Sequence, residues 1–146
     1  MSKLILVLAI CLALVHSCFS IRKQRVSAKG RLMCGNSPAV GVKVKLVDED
    51  SGPDPDDELD SGYTDKYGNF RLSGATRELT NIDPELKIYH DCNDKLMGVE
   101  KPCQRKWKFV IPDKYINSNE DFNLGTVNLE PKQEGEERDC IHRKFL

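Results

Sequence analysis

Apolar residues return at every second position in one run after another, the period of strands with a single buried face. Val26, Ala28, Gly30 and Leu32 alternate with Ser27, Lys29, Arg31 and Met33. Val42, Val44 and Leu46 alternate with Lys43, Lys45 and Val47. Later, Leu86, Ile88 and His90 alternate with Lys87 and Tyr89, and Arg105, Trp107, Phe109 and Ile111 with Lys106, Lys108 and Val110. Phe122-Asn123-Leu124 and Val127-Asn128-Leu129 are out of phase across Gly125-Thr126, which predicts a bulge there. A tight turn at Asp65–Asn69, with Gly68 free to take positive φ, joins a strand over 61–64 to one over 70–72. Residues 76–84 are expected to hold a helical turn. Seven or so short strands with little helical periodicity predict an all-β sandwich of two sheets.

The first twenty residues differ in kind. Lys3 precedes an apolar run from Leu4 to Val15, and Cys18 and Ser20 are small enough for the cleavage positions of a secretory signal peptide. The run is shorter than the ~20 apolar residues a bilayer span needs. Residues 1–20 therefore read as a signal peptide, residues 21–146 as one domain, and 130–146 as a charged tail, mobile until Cys140 ties it down. In a secreted chain, Cys34, Cys92, Cys103 and Cys140 predict two disulfides, with three connectivities open. No CxxC spacing supports a zinc or redox site.

Composition narrows the function further. The net charge is −1, with 22 basic and 23 acidic residues, which gives no sign of a nucleic-acid partner. The span 48–60 is acidic and broken by Pro53 and Pro55. It reads as a solvated loop, with calcium binding the alternative, since its carboxylates do not follow the EF-hand spacing. Among the histidines only His90 lies on a strand, so no metal cluster and no catalytic triad is expected, and no cofactor. Trp107, Phe109, Phe70 and Leu72 read as core.

Short motifs in a fixed order carry a family likeness: Gly30-Arg-Leu-Met-Cys34-Gly, Asp54-Pro-Asp-Asp57, Thr64-Asp, Gly68-Asn-Phe70, Lys87-Ile-Tyr-His-Asp-Cys92, Pro102-Cys103-Gln-Arg105 and Glu137-Arg-Asp-Cys140. Together they resemble the nematode transthyretin-like family over nearly all of residues 21–146. The resemblance implies a transthyretin-like (prealbumin-like) sandwich of seven to eight strands, one sheet ordered C-B-E-F. It implies a secreted binding or adaptor protein, with phosphatidylserine on dying cells and an engulfment receptor as candidate partners. A carrier of a small apolar ligand, which would need a tetramer, and a secreted factor for a protein receptor are the alternatives. Hydroxyisourate hydrolase shares the fold, but its Tyr-Arg-Gly-Ser ending is absent from Cys140-Ile-His-Arg-Lys-Phe-Leu146, so no enzyme is expected.

Two site expectations follow. Cys92 and Cys103 flank the loop between adjacent strands, so the pairing expected is Cys92–Cys103 with Cys34–Cys140. With the order C-B-E-F, Lys43, Lys45, Lys87, Lys106 and Lys108 share one outer face around Tyr89. That face is either a positive patch for an anionic headgroup or acidic partner, or a plain solvated surface.

Overall fold

The fold is taken from a computed structural model that describes residues 3, 5, 7, 21–49 and 56–140. The other residues of the span 1–20 read as a signal peptide, residues 50–55 of the acidic loop, and His142 lie outside the described residues. Eleven strands follow in chain order: β1 (Arg22–Cys34), β2 (Ser37–Pro38), β3 (Lys43–Asp48), β4 (Asp57–Tyr63), β5 (Asn69–Glu78), β6 (Pro84–His90), β7 (Lys95–Leu96), β8 (Val99–Glu100), β9 (Gln104–Val110), β10 (Phe122–Asn128) and β11 (Glu137–Asp139).

Two sheets enclose the core. In the first, β1 is central, antiparallel to β5 from Arg22↔Glu78 to Arg31↔Asn69 and parallel to β10 on its other side. In the second the order is β4-β3-β6-β9-β11, the first four in the C-B-E-F order. A small separate hairpin joins β7 and β8. The β1–β10 register slips between Lys29↔Asn123 and Arg31↔Thr126, where Gly125 takes φ +78°, so the phase change in the sequence is a bulge.

The inward phases meet as the alternation requires. Ala28, Leu32, Val44, Leu46, Leu86, Ile88, Ile111 and Leu129 are wholly buried. Trp107 meets Phe109 edge-on at 5.8 Å between ring centroids, and Phe109 stacks on Phe122 at 5.4 Å. Two glycines make this packing possible. A Cβ at Gly30 would sit 2.9 Å from the Phe70 ring. At Gly68, φ +81°, it would sit 2.2 Å from the Leu32 carbonyl oxygen, which accepts the Ala39 N–H.

Three expectations are corrected. Residues 76–78 continue β5 instead of turning helically, because β1 is thirteen residues long and pairs with them to its first residue. The tail is not free before Cys140: Glu137, Arg138 and Asp139 form β11 against β9. The disulfides are Cys34–Cys92 and Cys103–Cys140, not Cys92–Cys103 and Cys34–Cys140. The β7–β8 hairpin separates Cys92 from Cys103. Cys92 then meets the end of β1 in the other sheet, while Cys103 meets the strand added at the β9 edge.

Candidate functional site

The outer face of the second sheet is where the five lysines come together. Register puts Lys45, Lys87 and Lys108 in one row across β3, β6 and β9, and Lys43, Tyr89 and Lys106 in the next. A carboxylate meets four of the five. Lys45 pairs with Glu58 at 2.6 Å, and Lys87 with Asp56. Lys106 lies 2.8 Å from Glu137 and 3.5 Å from Asp139, and Lys108 3.9 Å from Glu49. Among the described residues only Lys43 of the five makes no such pair. The lysines are also poorly exposed: the Lys87 side chain keeps 7% of its surface and Lys106 17%. The face is a charge lattice, with acids from the β3–β4 connection, from β4 and from β11 seated among the cations.

Burial bends the chemistry of this lattice. Desolvation pushes the Tyr89 hydroxyl up to about 12, and the carboxylates of Asp139, Asp56, Glu58 and Glu137 push the same way. Glu85, facing the same side, is buried beside Glu49. Desolvation and a hydrogen bond with Glu49 raise it to about 7 against the pull of Lys108 and Lys87. Of the described acids of the loop, Asp48, Glu49, Asp56, Glu58 and Asp60 are engaged within the protein. Among the described residues no group of three or more His, Cys, Asp or Glu is arranged to hold a metal ion.

A second polar cluster closes one end of the sandwich. Arg105 stands on the inward phase of β9 opposite His90. Its guanidinium grips Glu136 at 2.6 and 2.8 Å, and donates to the Cys92 carbonyl at 2.8 Å and to that of Pro131 at 3.1 Å. One side chain therefore ties the segment before β11 to the sheet beside both disulfides. Arg138 repeats the device, gripping Asp94 at 2.7 and 2.6 Å. His90 accepts the Cys92 N–H on Nδ1 at 3.3 Å, which leaves the proton on Nε2, 3.9 Å from Glu136. Burial, then the Arg105 charge, holds His90 down at about 4. The imidazole is thus neutral and buried, with Nε2 in no hydrogen bond among the described residues.

Reasoning on the sequence missed Glu136 and the role of Arg105. An arginine at a core phase was the available signal, since a buried guanidinium demands a carboxylate. It also passed over the outward phase of β1, where Arg25, Lys29 and Arg31 follow one another.

Comparison with known proteins gives a consistent answer. The Transthyretin-like family profile matches residues 29–112. Transthyretin-like protein 33 of Caenorhabditis elegans is 50% identical over 124 residues, covering 82% of this chain and 84% of that protein. Transthyretin-like protein 46 is 47% identical, covering 97% and 78%, and Transthyretin-like protein 5 is 45% identical, covering 92% and 99%, both from the same organism. Among solved structures, a 9R-lipoxygenase from Cyanothece aligns with a TM-score of 0.45 at 20% identity, over 73% of this chain and 16% of that one. That likeness carries no argument.

Proposed function

Because this chain belongs to the transthyretin-like family, we propose that it is a secreted, non-enzymatic binding protein that presents rigid outer surfaces to macromolecular partners. The observation that supports this reading is the filled interior. Leu32, Leu46, Leu86 and Ile88 meet between the sheets with no exposure, and disulfides and buried ion pairs brace one end of the sandwich. Such a molecule recognises through its faces, edges and loops. The apolar run of residues 4–15 supports secretion.

The finer form of the proposal is recognition of phosphatidylserine on dying cells and bridging to an engulfment receptor. It rests on the family resemblance. The five-lysine face lends it little, since four of those lysines already hold carboxylates. Liposome flotation of the oxidised protein, with and without phosphatidylserine across a salt series, tests it. Selective, salt-sensitive binding is the expected outcome, and equal recovery from both liposomes rejects it.

A further inference from the structure

The open positive surface lies on the other sheet, and we propose that it binds a linear sulfated polysaccharide. The inference rests on the extracellular reading above and adds a partner class and a site to it.

On the outward phase of β1 stand Lys23, Arg25, Lys29 and Arg31; on that of β5 stand Arg71 and Arg77. Register sets Lys23 against Arg77 and Lys29 against Arg71, with Ser27 against Ser73 between them. All six cations are exposed. From Lys23 to Arg31 the stripe runs along the strand for about 26 Å at the usual rise.

Their partners leave the charge available. Arg25 donates to the Ser73 hydroxyl at 3.2 and 3.0 Å, and Arg31 to the Tyr67 carbonyl at 3.0 Å. These neutral acceptors orient each guanidinium without cancelling it. Asp121 pairs with two of the six. It lies 2.8 Å from Arg71 and 3.9 Å from Lys29. Beside that pair the bulge leaves a depression of about 440 Å³, lined by Lys29, Arg31, Arg71, Asn69, Asn123 and Thr126. Cations and amide donors together suit sulfate oxygens, which a guanidinium fork can take two at a time.

The shape of the stripe selects the partner. A file of charges along one strand pair matches a linear polyanion. A bilayer contact also draws on apolar side chains that insert, and none of the exposed large apolar residues lies within 23–31 of β1 or 69–77 of β5.

Heparin affinity of the oxidised protein, measured across a salt series, is the test, with hyaluronan as an unsulfated control and phosphatidylserine liposomes as a membrane control. The triple variant Lys23→Gln, Arg31→Gln, Arg77→Gln is compared with Lys43→Gln, Lys108→Gln on the second sheet, each checked for an unchanged melting temperature. The proposal expects heparin binding, little for hyaluronan, and a log–log salt slope reduced by about three in the triple variant alone. No heparin binding, equal loss in both variants, or equal binding to hyaluronan overturns it. Liposome binding lost in the triple variant without heparin binding by the native protein also overturns it and assigns the face to lipid. N-terminal sequencing of protein from culture medium tests secretion separately, so a failure there leaves the in vitro result standing.

Discussion

The two outer faces of this sandwich carry similar numbers of cations and put them to opposite uses. On the second sheet, lysines sit under or beside carboxylates delivered by Asp56 just before β4, by β4 itself and by β11. On the first, arginines and lysines point outward, held by a hydroxyl, a carbonyl and one aspartate. The difference is one of neighbours. Acids from β4, β11 and the segment before β4 reach four of the lysines on β3, β6 and β9, whereas on β1 and β5 Asp121 pairs with Lys29 and Arg71, and Asp60 is taken up by the Ser73 N–H. Counting basic residues on a strand therefore says little about potential until the segments packed beside it are known.

Removing the staple that holds β11 should break the contrast most sharply. Replacing Cys103 and Cys140 with serine opens a link across 37 residues and should cost about 4 kcal/mol. It should also release Glu137 and Asp139, so that Lys106 and Lys108 gain a salt-sensitive affinity for anionic resin that the native second sheet lacks. Urea unfolding and resin retention measure the two effects; unchanged retention in a folded variant would show that β11 does not mask those lysines.

Next in size is Asp56→Ala, which strands the buried Lys87 ammonium and should cost about 3 kcal/mol in urea unfolding. Asp121→Ala on the first sheet should leave the urea midpoint where it is, because Arg71 keeps 66% of its side-chain surface in water, and should tighten heparin binding.

The pH response should map to the second sheet and its end cluster. Glu85 is raised to about 7 by burial and Glu49, so its contribution is full below the usual carboxylate value near 4.5 and is lost as pH rises through 7. His90 is lowered to about 4 by burial and Arg105, so its contribution is full above 6.5 and is lost as pH falls toward 4. Stability should therefore pass through a maximum between these limits. Glu85→Gln should flatten the alkaline side and His90→Gln the acid side in melting curves across pH. A profile unchanged by both would locate the titration elsewhere. Arg77→Ala, the mildest change, should leave stability and its pH dependence untouched while reducing the salt slope for heparin by about one.

Much of the architecture was legible because alternation reports burial directly. The phases of Val44, Leu46, Leu86, Ile88 and Trp107 put them in the core, and the break at Gly125 marked the bulge. The lattice was not legible. Its acids come from Asp56, Glu58 and Glu137, whose local sequence reads as loop or tail, and only folding seats them on the lysines. The cysteine pairing failed for a related reason. Proximity in sequence favours Cys92 with Cys103, but a ten-residue insertion bearing its own hairpin holds them apart. The first-sheet stripe needed the β1–β5 register before Arg71 and Arg77 could be added to the cations of β1.

That connectivity also determines what a protease would produce. Both disulfides are local to one side of the β7–β8 hairpin: one closes within residues 34–92, the other within 103–140. Leu96, Met97 and Val99 stand exposed at the tip between them, Met97 almost completely so. A single cut there severs the last covalent link between the halves, which stay together only through pairing such as β6 with β9 and β1 with β10. The nicked protein would run as one particle in native buffer and as two fragments in unreduced detergent, a natural split point for complementation.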